Sequence, residues 1–207
     1  MVVEQEMAGI YPPDAEDFGS YLPGTDCGVC GLGNCVEFAE AVLSKKSAPH
    51  ACPELPADVA NVMAAIVVLD KSPIPYNIMM EQVDCRLIEI GRPTADDPLL
   101  VTCNFLGTVQ IMQRILEKTD SHAFLLPIFT HGYSVDNAVH ERMFKAIDVW
   151  KSMQENDVAN KIDHQRIIIP GLAESQKNAI RQLTRWEVVV GPVSGFLVPL
   201  FMTDYHG

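Results

Sequence analysis

LLVTCNFLGTVQIMQRILEKTDSHAFLLPIF, residues 99–129, contains the clearest secondary-structure pattern in this chain. An apolar run at 99–103 is followed by a helical pattern at 105–118 and by a second apolar run at 123–129. Short apolar strands that alternate with helices are typical of a parallel sheet whose two faces are covered by helices. The segment therefore predicts an α/β fold.

The same alternation continues toward the C-terminus. We expect a helix at about 134–154, a strand at 165–170, a helix at about 172–184 and a strand at 186–190. With right-handed crossovers these elements form a Rossmann-like sheet, whose ligands bind beyond the carboxyl ends of the strands. The first strand is not followed by GxGxxG, and the chain has no GxxxxGK motif, so neither dinucleotide binding nor a P-loop is favoured.

The N-terminal part contains a second pattern, DCGVCGLGNCVEFAEAVLSKKSAPHACPEL, at residues 26–55. Its cysteines follow C-x2-C-x4-C, and a fourth cysteine precedes a proline after a longer gap: Cys27, Cys30, Cys35 and Cys52. Four thiolates that converge in this way are the usual ligand set of a [4Fe-4S] cluster. Gly28, Gly31 and Gly33 permit positive φ, so that backbone N–H groups can point at cluster sulfides.

Zinc and disulfides are the alternatives for these cysteines. A structural zinc site with four cysteines usually shows two C-x2-C pairs, whereas Cys35 and Cys52 stand singly. Disulfides need an oxidising compartment, and the acidic N-terminus, MVVEQEMAGIYPPDAEDF, lacks the apolar region of a signal peptide. The pattern favours a cluster, with zinc and disulfides left open.

Composition and charge limit the classes of function. The chain has 207 residues, enough for one or two small domains. Its formal net charge is −12, from 27 acidic and 15 basic residues, so a nucleic acid would be repelled. Its apolar runs are far shorter than the roughly 20 residues of a membrane span. Six cysteines without a leader indicate a reducing compartment. We expect a cytoplasmic protein with neither a nucleic acid partner nor a membrane span.

Several blocks resemble the large subunit of the corrinoid iron–sulfur protein, the methyl carrier of the acetyl-CoA (Wood–Ljungdahl) pathway. Its archaeal counterpart is the gamma subunit of the acetyl-CoA decarbonylase/synthase complex. The resemblance covers about residues 20–60 and 88–205. The blocks that carry it are LPGTDCGVCGLGNCVEFA (22–39), GRPTADDPLLVTCNF (91–105), HGYSVDNAV (131–139), KIDHQRIIIPGLA (161–173) and WEVVVGPVSG (186–195).

The resemblance implies a division into a cluster domain and a corrinoid-binding domain. We expect a small [4Fe-4S] domain at 1–62, of which 1–20 is a loose leader, a linker with an edge strand at 63–95, and a Rossmann-like corrinoid-binding domain at 96–207. Pro73 and Pro75 mark the linker. The family has a long TIM barrel between these regions, whereas only about thirty residues lie there in this chain, so it looks like a shortened form.

The resemblance also implies a function. The protein would carry methyl groups on the cobalt of a corrinoid (cobamide), and its cluster would reduce Co(II) to Co(I). It would then be a methyl-carrier or redox subunit of a methyltransferase system rather than a stand-alone enzyme. Expected partners are a methyltransferase or methyl-acceptor protein, a barrel subunit that caps the corrinoid, and a low-potential electron donor. The alternatives are an electron-transfer protein that reactivates a partner's corrinoid, and a scaffold whose cluster is structural.

The resemblance assigns the four cysteines as cluster ligands and places corrinoid contacts at the strand ends. The expected contacts are Thr102, Asn104, His131, Gly132, Ser134, Val135, Asn137, Gly171, Gly191, Pro192, Ser194 and Gly195. Asn137 aligns with a threonine that the family places under the cobalt. His140, one helical turn further on, and Cys103, at a strand end, are the other candidates for a ligand on this lower face, and the absence of a ligand is the fourth possibility.

Overall fold

This computed structural model describes residues 11–69 and 81–204 of the chain. Within them, strands form a single sheet, which consists of β1 (Ile88–Ile90), β2 (Leu99–Cys103), β3 (Ala123–Ile128), β4 (Arg166–Ile169) and β5 (Glu187–Val190). The spatial order is β1-β3-β2-β4-β5; β1 runs antiparallel to β3, and the other neighbours are parallel. The predicted α/β fold with a parallel sheet is confirmed, with an antiparallel strand at one edge.

Helices precede the sheet and connect its strands. In the described residues they are α1 (Ala15–Gly19), α2 (Cys35–Leu43), α3 (Ala57–Val68), α4 (Leu106–Lys118), α5 (Val135–His140), α6 (Ala146–Glu155), α7 (Lys177–Thr184) and α8 (Val198–Thr203). Short 3-10 turns occur at Pro49–Ala51, Val158–Asn160, Gly171–Gln176 and Gly195–Leu197. Across these described helices, none has the length and apolar character that crossing a membrane requires.

The direction of winding reverses beside β2. From β2 the chain passes through α4 to β3 on one side, whereas β4 pairs with β2 on the other side. Leu100 accordingly pairs with both Leu125 and Ile168. Loops at such a reversal leave in opposite directions and open a crevice at the carboxyl ends of the strands, where open α/β sheets bind their ligands. The topology thus places a candidate site at the ends of β2 and β4.

Both faces of the sheet are buried. One face, which includes Val101, packs against Val149 of α6 and Ile180 of α7. The other face, which includes Leu100, packs against Leu116 of α4. Because successive strand residues point to opposite faces, only a continuous apolar run can fill both layers. Burial of each large aliphatic side chain contributes about 1.5–3 kcal/mol, so these layers hold the sheet together.

The N-terminal helices pack against α4 and α8. Phe38 of α2 and Met63 of α3 belong to the same buried cluster as Ile115 of α4 and Leu200 of α8. We call this set of residues the shared core. It joins residues from the predicted cluster domain to residues from the predicted C-terminal domain, while the domain boundaries themselves stay a prediction. The predicted linker at 71–77 lies outside the described residues.

Two segments differ from the expected secondary structure. In the predicted loose leader, α1 forms because Asp14 and Asp17 build a capping box, and its Phe18 is completely buried in the shared core. The helix expected at about 134–154 is interrupted after α5. There Arg142 adopts a left-handed φ of 56°, and the N–H of Met143 donates to the carbonyl of Ala138, which closes a Schellman motif.

We expect Leu200→Ala to lower the free energy of unfolding by about 2–5 kcal/mol, because it leaves a cavity in the shared core. Urea denaturation followed by circular dichroism measures this loss. Leu183→Ala is the matched control, since Leu183 lies on α7 with 44% of its surface exposed. Equal losses from the two variants would show that the buried Leu200 side chain contributes no more to stability than the exposed Leu183 side chain.

Candidate functional site

The cysteine loop precedes α2 and turns on residues with left-handed backbone conformations. Asp26, Gly28 and Gly31 have φ values of 48°, 69° and 85°. The N–H of Gly31 donates to the carbonyl of Gly28 at 2.9 Å, which closes a tight turn between the first two cysteines. Cys27 is exposed, and Cys30 and Cys35 are half-buried. The loop therefore exposes Cys27 and leaves Cys30 and Cys35 partly accessible.

Two carboxylates tie this loop to the start of α2. Asp26 Oδ1 accepts the N–H of Cys35 at 2.7 Å, and Glu37 Oε2 accepts the N–H of Gly33 at 3.0 Å. Asn34 caps the helix, since its Oδ1 accepts the N–H of Glu37 at 2.8 Å. Asn34 Nδ2 also donates to Glu37 Oε1 at 3.2 Å. The segment between the second and third cysteines is thus held by Asn34 within it and by Asp26 and Glu37 on either side of it.

The fourth cysteine lies in the shared core itself. Cys52 follows the 3-10 turn Pro49–Ala51 and is buried, with 9% of its surface exposed. It belongs to the shared core, and Cys30 packs against that core. The structure therefore brings Cys30 and Cys52, 22 positions apart in the sequence, to one cluster of residues.

No three His, Cys, Asp or Glu side chains within residues 11–69 and 81–204 are grouped so as to hold a metal ion. A mononuclear zinc site needs four ligands within about 2.0–2.3 Å of one ion. A [4Fe-4S] cluster binds each cysteine through a different iron, so its ligands lie further apart. The four cysteines are free, and Gly28 and Gly31 have positive φ, as expected of the predicted cluster loop. The assignment of the four ligands stays a prediction.

The predicted corrinoid contacts lie at the carboxyl edge of the parallel strands. Thr102 and Asn104 end β2, and His131 to Asn137 follow β3. Gly171 follows β4, and 191–195 follow β5. Parallel neighbours bring these four strand ends to one edge of the sheet. The loops thus surround one region, and the individual contacts with a corrinoid stay predictions.

Asn104 is the centre of a buried hydrogen-bond network that joins the loops after β2 and β3. Its Oδ1 accepts the N–H and the hydroxyl of Thr130, both at 3.0 Å, and the N–H of Gly132 at 3.1 Å. Its Nδ2 donates to Gln82 Oε1 at 3.3 Å. Asn104 is 2% exposed and Thr130 is completely buried. The Asn104 side chain therefore positions the loop that follows β3, and both of its polar atoms are hydrogen-bonded within the protein.

The serines at this edge are also bonded within the protein. Ser134 Oγ donates to Asp136 Oδ1 at 2.5 Å and accepts from Asn137 Nδ2 at 3.1 Å. Ser194 Oγ donates to the backbone carbonyl of Tyr11. Burial and then the Asp136 carboxylate raise the pKa of Tyr11. Tyr11 thus lies between the loops after β3 and β5, although it belongs to the segment expected to be a loose leader.

Close packing requires glycine at two positions of this edge. A Cβ on Gly171 would lie 2.8 Å from the carbonyl oxygen of Gly191 and from the nitrogen of Val193. The N–H of Gly171 also donates to the carbonyl of Pro192 at 3.1 Å. A Cβ on Gly195 would lie 3.0 Å from Met112 Sδ. The loops after β4 and β5 therefore touch directly, and Gly171 makes their contact possible, whereas Gly195 allows the close approach of Met112.

The exposed part of the edge is apolar and aromatic. Phe129 is 45% exposed, and its ring lies 4.4 Å from the ring of His131, centroid to centroid. Val193 is 51% exposed, and Asn137 is also exposed. A flat ligand with apolar faces and amide substituents matches such a surface, because large ligands bury against apolar and aromatic groups and use a few polar groups for orientation. The residues present fit a corrinoid.

The candidates for a cobalt ligand are in different environments. Cys103 is completely buried in β2, and burial raises the pKa of its thiol, which favours the neutral form over the thiolate that binds metals. The side chain of His140 is 84% exposed at the end of α5 and lies 3.9 Å from the Glu141 carboxylate. Asn137 is exposed in the first turn of α5. Whether Cys103, His140, Asn137 or no residue binds the cobalt stays a prediction.

Sequence reasoning missed Tyr11, Phe129, Asp26 and Glu37. Of these, Glu37 leaves a local signal, because an asparagine followed by a glutamate three positions later is a helix N-terminus pattern, and Asn34 and Glu37 fit it. The contact of Tyr11 joins residues 183 positions apart. No local pattern reports such a contact.

Two protein-family models match the chain. Residues 78–199 match the family described as CO dehydrogenase/acetyl-CoA synthase delta subunit, which is more than half of the chain. Residues 22–54 match a model described as a putative Fe-S cluster. Residues 55–77 lie between the two matches, so no central barrel fits at that place.

Two relatives resemble more than half of the chain. An acetyl-CoA decarbonylase/synthase complex subunit gamma from Methanopyrus kandleri is 33% identical over 122 residues, 59% of this chain and 26% of that protein. A corrinoid/iron-sulfur protein large subunit from Moorella thermoacetica is 37% identical over 111 residues, 54% of this chain and 25% of that protein. The chain thus spans about a quarter of the length of these relatives. The resemblance seen in the sequence is confirmed.

We expect Asn104→Ala to lower the free energy of unfolding by about 1–3 kcal/mol, because it leaves buried donors of Thr130 and Gly132 without their acceptor. Hydrogen exchange at these two amides should accelerate, and Asn104→Asp, which keeps an acceptor oxygen, should restore part of their protection. Asn160→Ala, which removes an exposed hydrogen bond to Asp157, serves as control. Unchanged exchange at Thr130 and Gly132 in Asn104→Ala would refute the positioning role.

Proposed function

This chain belongs to the CO dehydrogenase/acetyl-CoA synthase delta subunit family, and from that membership we propose that it is a corrinoid- and [4Fe-4S]-containing protein of one-carbon metabolism. In this proposal it carries methyl groups on the cobalt of the corrinoid, and the cluster keeps that cobalt reduced. It acts as a carrier subunit between a methyl donor and a methyl acceptor. The relatives named as subunits of a complex support the existence of partner subunits.

One observation supports this proposal more than any other: a cluster segment and a family-matched sheet share one core within a single short chain. The segment at 22–54 and the segment at 78–199 match separate models, yet Cys52 and Leu197 belong to the same buried cluster. Two redox groups held in this way would be attached to one packed core. The corrinoid supplies the methyl-carrying metal and the cluster a single low-potential electron, while the protein supplies binding and orientation.

The chain's own residues have distinct roles in this proposal. Cys27, Cys30, Cys35 and Cys52 bind the cluster. Backbone groups of the loops after β3 and β5 bind the amide substituents of the corrinoid, while the exposed rings of Phe129 and His131 cover an apolar part of it. Asn104 holds the loop after β3 in place through its hydrogen bonds to Thr130 and Gly132.

A second candidate function has its own supporting observation. Tyr11 lies on the edge where the corrinoid is expected, and its carbonyl accepts the hydroxyl of Ser194. Ser134 is likewise bonded within the protein, to Asp136. These contacts favour an electron-transfer protein that docks onto a partner's corrinoid without binding one. In that case the chain binds iron but not cobalt.

Metal analysis and visible absorption of anaerobically purified protein distinguish the two functions. Iron, cobalt and corrin absorption together support the carrier, whereas iron without cobamide affinity, with reduction of a partner's Co(II), supports the electron-transfer protein. Zinc in place of iron contradicts both. A cobamide titration of the reconstituted protein completes the test, since a carrier must bind it.

We expect Cys52→Ser to lose most of the bound iron and the absorption of the cluster, because serine oxygen is a poor replacement for a thiolate at a soft metal site. Cys85→Ser is the matched control: Cys85 is half-buried and lies outside the cysteine loop, so its variant should keep full iron content. Iron and sulfide analysis measures both variants. Equal iron content in the two would remove Cys52 from the ligand set.

A further inference from the structure

Asp26 and Glu37 accept hydrogen bonds from backbone N–H groups of the loop that carries the first three cysteines. The N–H of Cys35 donates to Asp26 Oδ1 at 2.7 Å, and the N–H of Gly33 donates to Glu37 Oε2 at 3.0 Å. Cys35 is itself a predicted cluster ligand, and Gly33 lies two positions before it. Their hydrogen bonds therefore end on carboxylates rather than on sulfur.

These bonds matter because the potential of an iron–sulfur cluster depends on net charge, solvent exposure and hydrogen bonds to its sulfurs. An N–H that donates to a sulfur stabilises the reduced, more negative cluster. An N–H that donates to a carboxylate gives no such help, and the negative charge of the carboxylate opposes the added electron. Both effects make reduction harder and lower the potential.

The surrounding charge acts in the same direction. Between residues 11 and 44 there are six acidic residues and no lysine, arginine or histidine. Asp26 is adjacent to Cys27 in the sequence, and Glu37 lies two positions after Cys35. No basic side chain of this segment compensates for them. Among its acids, Asp26 and Glu37 are the two whose side chains bond the backbone between the second and third cysteines.

We propose that Asp26 and Glu37 set the low reduction potential of the cluster, by adding negative charge and by withholding the N–H groups of Cys35 and Gly33 from its sulfurs. The inference rests on the proposed presence of the cluster. It gives these carboxylates a role beyond the capping of α2. An electron acceptor of low potential requires a strongly reducing cluster. The two carboxylates would therefore adjust the potential of the cluster to that of its acceptor.

The test is a redox titration of the reconstituted protein, with the midpoint potential read from the electron paramagnetic resonance signal of the reduced cluster. Asp26→Asn keeps an acceptor oxygen and tolerates the left-handed φ, so it removes charge alone. Glu37→Gln does the same at its position. Each should shift the potential upward, toward easier reduction, by several-fold to tenfold in the equilibrium constant, where tenfold is about 59 mV for one electron.

Glu37→Ala separates the two contributions, since it removes the charge and the acceptor together. It should shift the potential upward at least as far as Glu37→Gln. Glu40→Gln is the control: Glu40 is exposed on the same helix and takes no part in these loop hydrogen bonds, so its variant should shift the potential less.

The outcomes separate this inference from the proposed function. Wild-type protein that binds no reducible cluster overturns both. A reducible wild-type cluster with Asp26→Asn and Glu37→Gln potentials equal to that of Glu40→Gln overturns the inference alone. Loss of the cluster in both variants also overturns it, because the carboxylates would then serve the integrity of the loop and not its potential.

Discussion

Burial of both faces of the central sheet is the constraint on which the rest of the structure depends. The strands at 99–103 and 123–128 are buried at every position, so each strand must lie between two layers of helices. Once α4 and α8 cover one face and α5 to α7 the other, the faces are closed to any ligand. The carboxyl edge is where polar backbone and loop side chains can still meet a cofactor, and its shape follows from the reversal of winding beside β2.

The loops at the carboxyl edge are held in place by buried hydrogen bonds and by close backbone packing. Three donors converge on one oxygen of Asn104, and Gly171 packs against the backbone of 191–193. A buried amide with its partners satisfied favours one conformation of the loop, because removing the shared acceptor of these donors costs about 1–3 kcal/mol. The loops after β3 and β5 are thus preorganised before any ligand arrives.

The sequence predicted what depends on local pattern and missed what depends on distant contact. The strands at 99–103 and 186–190 are predictable because short, largely apolar runs bounded by turns are typical of buried strands. The break after α5 is not, because Arg142 gives no sign of a left-handed conformation that is usually taken by glycine. The positioning role of Asn104 is not predictable either, because its hydrogen bonds run to residues 26 and 28 positions away. Such pairings follow from the register of β2 and β3, which appears only when the sheet forms.

The shared core also relates the two halves of the site to each other. Cys52 lies in it, and so do Phe196 and Leu197, which follow the loop after β5 directly. Ser194, the residue that starts this turn, donates to Tyr11, and the chain from Tyr11 leads through α1 back into the same core at Phe18. The segment that carries the cysteines and the segment that bounds the carboxyl edge are therefore packed against one set of side chains. A proposed cluster and a proposed corrinoid would then be held by neighbouring parts of one packed unit. The distance between them would be set by packing in the shared core and not by the length of a linker.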